Sequence, residues 1–350
     1  MKDLFVGDLH IQVNNLEESE RLLSFISDTF ISNNCRNLIL LGDIFHTHAV
    51  IRQEVAYTVL SFLKNFYYNA VQADKGRIII IAGNHDGISP TNASKNALEL
   101  ILSDYATVVS SKEGLIKDDY LFLPFIHNTD EFIESAVLNK ITATTMGLQD
   151  PVLVCHQTFD GAAYESGMLC PGGVKSELLP YSVVISGHIH KRQTIKDKVI
   201  YVGTPRAITA AENNEDKYIH LIQKDETGKL DLTEITTRDI VKNYYVFDIY
   251  EENPESYSID LSVVNFQKDI VTIRINGTQV FYDKFLKDNE QYLGKVRFIP
   301  RIKKDLSKKI SMEKSGDSVE ASLEKYIKEV VDLDNETKEE VWKTIHQMIN

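Results

Sequence analysis

Short, uninterrupted apolar runs recur along the first two thirds of the chain, and each ends at a histidine, asparagine or carboxylate. Leu4-Phe5-Val6 runs into Gly7-Asp8, Leu38 to Leu41 into Gly42-Asp43, and Ile78 to Ile81 into Gly83-Asn84. Val152-Leu153-Val154 precedes His156, and Val183-Val184-Ile185 precedes Gly187-His188. β-Branched runs of this kind suit strands covered on both faces. Between the first two runs, Leu16, Leu22, Leu23, Ile26 and Phe30 fall near one helical face over Leu16 to Ile31. Asn15 stands where an N-cap belongs, before an acidic first turn. A second helix is expected over Val50 to Tyr68. The alternation predicts an α/β protein with much parallel pairing.

The rhythm continues through Val199 to Val202 and Tyr218 to Ile222, then changes after about residue 238. Tyr244 to Tyr250 and Asp269 to Asn276 read as strands. In the second, Val271, Ile273 and Ile275 alternate with Thr272, Arg274 and Asn276, a half-buried pattern. Val280 to Tyr292 reads as a helix and Lys295 to Ile302 as another strand. The expected organisation is a large α/β domain over 1–238, a small α+β domain over 239–302, a basic linker over 303–318, and two helices over 319–350. Arg301 to Lys314 holds six basic and two acidic residues. Val319, Leu323, Tyr326, Ile327 and Val330 form one apolar stripe of the tail. Val341, Trp342, Ile345, Met348 and Ile349 form another. Asp317 and Glu320 stand at capping-box spacing for the first tail helix, and Asp334 or Asn335 for the start of the second.

Composition narrows the class. No run of apolar residues is long enough to span a membrane. The opening Met1-Lys2-Asp3-Leu4-Phe5 lacks the layout of a secretory signal, so an intracellular protein is expected. Cys35, Cys155 and Cys170 lack metal-type spacing and read as reduced packing thiols. A net charge of −13 argues against whole-surface electrostatic binding of nucleic acid. It leaves open a site whose positive charge comes from bound metal ions.

The run ends supply the chemistry. In order they read Asp8-x-His10, Gly42-Asp43 with His46, Gly83-Asn84-His85-Asp86, His156, and Gly187-His188-x-His190. Strand ends are where α/β proteins gather ligand-binding groups. Such a set can hold two divalent metals about 3.5–4 Å apart, which neutralise a phosphodiester and acidify water. Asp, Asn and His donors without a cysteine suit Mn²⁺ and related ions. His48, His127, His220 and His346 fall outside the motifs and read as surface or hydrogen-bonded imidazoles.

In order and residue type the five motifs resemble the calcineurin-like metallophosphoesterases. The resemblance implies a four-layer αββα sandwich. It implies Asp8, His10 and His190 as ligands of one metal, Asn84, His156 and His188 as ligands of the other, and Asp43 as the bridge. His85 matches the position that stabilises the transition state or protonates the leaving oxygen. Asp86 would orient its imidazole, and His46 would contact phosphate or orient water.

Four features are similar to the DNA double-strand-break repair branch of that family, the SbcD-type nucleases and their phage counterparts. These are Gly42-Asp43-Ile44-Phe45-His46, His156-Gln157 followed by Gly161, Tyr201-Val202-Gly203-Thr204-Pro205 leading to Glu212 and Lys217-Tyr218, and the layout after residue 238. The branch implies a Mn²⁺-dependent 3′→5′ exonuclease on duplex ends with single-strand endonuclease activity, in the cytoplasm of a bacterium or a phage-infected host. The small domain would cap the DNA, with Arg274, Arg297 and Arg301 as candidate phosphate contacts. Lys303, Lys304, Lys308, Lys309 and Lys314 would touch DNA or only solubilise the linker. Leu323, Ile327, Val330, Trp342 and Ile345 would dock on the coiled coil of an SMC-like ATPase, or pack on one another and the core. A homodimer through the nuclease domain is also implied. Two competing classes are a small-nucleotide phosphodiesterase or phosphatase, and a non-catalytic DNA-end scaffold.

Overall fold

The computed structural model describes residues 1–72, 74–225 and 229–303, together with 327, 337–339 and 341–343 of the tail. Among them the strands form two six-stranded sheets, one three-stranded sheet and one two-stranded hairpin. In the first large sheet, Asp3–Val6, Leu38–Leu40, Ile78–Ile81 and Thr107–Val109 run parallel in that order. Tyr218–Lys224 and Leu230–Thr236 continue it antiparallel beyond Asp3–Val6. In the second, Val199–Tyr201, Val184–Gly187, Val152–His156 and Tyr120–Leu123 are parallel neighbours. Gln193–Ile195 and Leu115–Lys117 close its edges antiparallel.

The apolar runs serve two cores at once, because successive strand residues point to opposite faces. Leu4, Val6, Leu38, Leu40, Ile78 and Ile80 pack outward against Leu22, Leu23, Ile26 and Phe30 of helix Leu16–Ser32 and Val59 and Leu63 of helix Gln53–Phe66. Their alternates Phe5, Ile39, Leu41, Ile79 and Ile81 meet Phe122, Val154 and Ile185 between the sheets. On the far side, Leu121, Leu153 and Val184 pack on Phe132, Ala136 and Ala143 of helix Thr129–Thr145. Helix, sheet, sheet, helix is the four-layer sandwich expected from the resemblance. Asn15 departs from its expected capping role. Its side-chain oxygen accepts from the Gln12 amide and the Ser19 hydroxyl, not from the first amides of the helix.

Residues 244–302 build the third sheet from Tyr244–Tyr250, Ile270–Gly277 and Val296–Ile302. Helix Gln279–Asp288 packs on it through Phe285 and Phe281, over a separate core of Ile249, Val271, Ile273 and Ile275. Asn214 ties this sheet to the sandwich, its amide donating to Tyr244 O and its side chain to Val246 O. Lys268 donates to the carbonyls of Arg238 and Val241 at the junction.

The chain divides into two compact units, Met1–Arg301 and Ile302–Asn350. In the second, Ile327 is buried and Trp342 half-buried. Leu323, Val330 and Ile345 lie outside the described residues, as do Lys304, Lys308, Lys309, Lys314 and the proposed capping residues of the tail. No described helix is long and apolar enough to cross a membrane.

Candidate metal centre

Each motif lies at the carboxyl end of a central strand, and the two sheets bring these ends face to face. The turns there are tight. His10, Asp43 and His188 have φ of 44°, 48° and 82°, and Gly42 has 106°. Left-handed backbone at non-glycine residues costs energy and concentrates at functional sites. The glycines leave room for the donors. A Cβ on Gly42 would stand 2.5 Å from His156 Nδ1, and one on Gly83 2.2 Å from Asp43 Oδ1.

The donors fall into two groups joined by one carboxylate. Asp8, His10 and His190 converge within 4.8 Å, and so do Asp43, His156 and His188. His10 Nε2 lies 3.1 Å from His190 Nε2. His156 Nε2 lies 3.2 Å from His188 Nδ1. Asn84 Oδ1 stands 2.8 Å from His188 Nδ1 and 3.1 Å from His156 Nε2. Asp43 reaches both groups, Oδ2 lying 3.5 Å from His10 Nε2 and Oδ1 3.5 Å from His156 Nε2.

These separations fit bound cations. Donors about 2.1 Å from a shared ion lie about 3.0–3.4 Å apart. Asp8 Oδ1 is buried without a hydrogen-bond partner, an arrangement that costs free energy unless a cation faces it. His156 Nδ1 donates to the Leu41 carbonyl at 2.7 Å, which directs the other ring nitrogen, Nε2, to the centre. The residues present therefore fit two divalent ions.

The protonation pattern of the bare protein points the same way. Burial raises Asp8 to about 6 against the pull of His156. Burial and the Asp43 charge raise Asp86 to about 7. Burial also opposes charge on Asp43, yet His156 and His10 hold it well below the usual carboxylate range. Burial would lower His156, but Asp43 and Asp8 push it up to about 9. Burial and the neighbouring His156 take His188 down to about 3. One buried cluster thus contains groups displaced in opposite directions, as functional sites do.

His85 sits beside the centre. Its amide donates to Asp43 Oδ1 at 2.8 Å, and its ring Nδ1 donates to the His46 carbonyl at 2.6 Å. This corrects the expectation for Asp86. Its carboxylate accepts from the amides of Gly83 at 2.9 Å and Phe45 at 3.2 Å, so it pins two motif turns together and leaves the His85 ring to His46. The His46 ring lies 3.3 Å from His10, nitrogen to nitrogen.

Four contributors escaped the sequence reading. His48, read as a bland imidazole, stacks on His85 with centroids 4.4 Å apart. Glu212 and Lys217 carried resemblance but no role. Glu212 faces His190 Nδ1 at 3.3 Å and is held by Lys217 at 2.8 Å and by the amides of Ile208 and Thr209. Burial opposes its charge, yet His190 and Lys217 bring its carboxyl down to about 2. Arg206 is fully buried and donates to the carbonyls of Leu9 and His10, fixing the first motif. The only sequence signal for Arg206 was its place directly after Gly203-Thr204-Pro205.

The arginines expected to meet DNA lie on the third sheet. Arg274 pairs with Asp248 on the neighbouring strand, and Arg301 approaches the same carboxylate at 3.8 Å. Arg297 is exposed.

A family model described as calcineurin-like phosphoesterase matches residues 1–192. Exonuclease subunit 1 of Enterobacteria phage T4 is 22% identical, the match covering 99% of this chain and 98% of that protein. A subunit of the nuclease SbcCD of Escherichia coli (strain K12) is 23% identical over 67% of each chain.

Proposed function

The chain belongs to the calcineurin-like phosphoesterase family, and we propose that it is the Mn²⁺-dependent DNA nuclease subunit of a recombination and repair assembly. The observation that carries this reading is the pair of histidine and carboxylate groups sharing Asp43. Similarity to a phage exonuclease subunit along 99% of the chain supports the choice of DNA.

In this reading Asp8, His10 and His190 hold one ion, Asn84, His156 and His188 the other, and Asp43 both. The ions, when bound, neutralise phosphate oxygens and acidify water. The chain supplies the rest. Leu41 O and Glu212 fix the rings of His156 and His190 through their outer nitrogens. The His46 carbonyl accepts from His85 Nδ1–H, so that the doubly protonated ring passes its Nε2 proton to the leaving 3′-oxygen and is left neutral. Activity is proposed as 3′→5′ exonuclease on duplex ends and endonuclease on single strands. Residues 1–238 carry the nuclease and 239–302 the cap. Segment 319–350 docks an SMC-like ATPase, and a second copy packs through the nuclease domain, where Tyr57 and Tyr68 are exposed.

The test is cleavage of a 3′-labelled blunt duplex by the purified chain with Mn²⁺, Mg²⁺ or EDTA, with His85→Asn and bis-p-nitrophenyl phosphate in parallel. Mn²⁺-dependent release of mononucleotides that disappears in His85→Asn is expected. Hydrolysis of the small diester with every DNA untouched, even beside the ATPase, would replace this reading with a small-nucleotide phosphodiesterase.

A further inference from the structure

A cleft of about 660 Å³ adjoins the metal centre and has no part in the chemistry described above. Glu99 and Glu131, on helices Leu98–Leu102 and Thr129–Thr145, contribute to its walls, and the rest come from three places. One is the hairpin Gly87–Ser89 and Asn92–Asn96, which follows Asp86 directly. The others are segments 110–113 and 124–128, which leave strands Thr107–Val109 and Tyr120–Leu123 at their carboxyl ends. The cleft therefore opens on the side of the sheets where α/β proteins bind ligands. Its volume suits a small organic group of nucleotide size.

Phe125 joins the cleft to the centre. Its ring lies 5.5 Å from His188 and 6.1 Å from His156, and on the cleft side 6.3 Å from the exposed His127 ring. The Phe125 amide donates to Ala82 O at 2.9 Å, so the ring is anchored to the strand end that carries Asn84. A group held in the cleft is thereby fixed relative to the Asn84, His156 and His188 donors.

The charges lining the cleft select what it takes. Glu99, Glu113 and Glu131 face it, and Lys112 is spent on Glu131 at 2.9 Å. Ser110 satisfies Glu99 at 2.9 Å, and Ser111 satisfies Glu113. A phosphate would meet uncompensated negative charge there. A flat, neutral ring carrying amino groups would meet aromatic faces and carboxylate acceptors. We propose that this cleft receives the terminal nucleobase of the strand being cut, stacked on Phe125 and His127, while the scissile phosphate lies at Asp43. The proposal rests on the nuclease reading and adds to it a subsite that sets how far a strand advances per cut.

The experiment uses the Mn²⁺-loaded full chain on two blunt DNA duplexes, one with an intact 3′-terminal nucleotide and one abasic at that position. Stacking of one base on aromatic side chains predicts about a tenfold preference in kcat/KM for the intact end. That ratio falls toward one in both Phe125→Leu and His127→Ala. Leucine keeps apolar volume against His188, and comparing two substrates within each variant separates base recognition from any general loss of activity. Equal cleavage of both substrates by the unaltered chain would overturn the subsite and leave the nuclease standing. So would a preference that persists in both variants. Hydrolysis of bis-p-nitrophenyl phosphate with neither duplex cut, even beside the ATPase, would overturn the nuclease reading, and the subsite with it.

Discussion

The interface between the two large sheets and the outer face of the third sheet both gather ionisable groups, and treat them in opposite ways. On the third sheet opposite charges meet within the fold, Asp248 standing between Arg274 and Arg301. At the strand ends of the sandwich, two buried carboxylates and four imidazoles crowd together. Asp8 Oδ1 is left there with no hydrogen bond, its nearest counter-group His156 Nδ1 at 3.7 Å. A buried carboxylate oxygen without a hydrogen bond is costly, and a cation among these donors would offset that cost. The contrast shows where this molecule is unfinished without its cofactor, and it can be broken in graded ways.

The largest effect is expected at His85. His85→Asn should lower kcat on a DNA duplex by about 10²- to 10⁴-fold, the range of a general acid, and lower it far less on bis-p-nitrophenyl phosphate, whose leaving group departs without a proton. Two Mn²⁺ should still bind, measured by calorimetry, because His85 lies outside both donor groups. Loss of metal together with activity would make it a ligand instead. Next comes Glu212→Gln, which removes the charge behind His190 and should weaken metal affinity or activity about 10- to 100-fold. A Glu212→Asp variant should recover part of that loss. Unchanged affinity in Glu212→Gln would leave Glu212 with packing alone.

Proton linkage gives the third effect. Metal binds deprotonated donors, while Asp8 is raised to about 6 and His156 to about 9 in the metal-free protein. Apparent affinity for Mn²⁺ should therefore rise with pH from about 6 to 9, with protons released on binding. Titration in buffers of different ionisation enthalpy checks this, and proton uptake or a flat profile would contradict it.

A buried imidazole away from the metal centre, opposite Glu234 on the neighbouring strand, is the useful control. Burial and nearby Arg192 lower His220 from 6.5 to about 4. Between those values the unfolded chain binds the extra proton, so stability is lost as pH falls through the window, by up to about 3 kcal/mol. Thermal unfolding of His220→Leu between pH 4 and 7 should show a shallower acid loss than the unaltered chain.

The smallest effect belongs to the third sheet. Asp248→Asn should change stability by about 1 kcal/mol, since the pair is half-buried and still screened by solvent. It should also free Arg274 and Arg301, tightening DNA binding at low salt with a steeper salt dependence. No change in the salt slope would remove both arginines from the DNA path.

The legibility of this chain followed local chemistry. The runs at Leu4, Leu38 and Ile78 announced buried strands because both faces of each had to be apolar. Helix Leu16–Ser32 announced itself because one face is buried and the other wet. Helix Thr129–Thr145 stayed silent, since its buried positions include Ser135, Ala136, Asn139 and Ala143. Small and polar residues at helical spacing make no apolar stripe, even when they pack closely.

Sequence alone marked the candidate donors, because each histidine, asparagine or carboxylate stands at the end of an apolar run, and resemblance to a family proposed their roles. Only the tertiary structure decided the partners of those donors. That His46 rather than Asp86 orients His85, that Glu212 backs His190, and that Arg206 holds the first motif all depend on contacts between residues far apart in the chain. Such contacts leave no periodicity, since they are set by how two sheets close on one another and not by the order of residues along either.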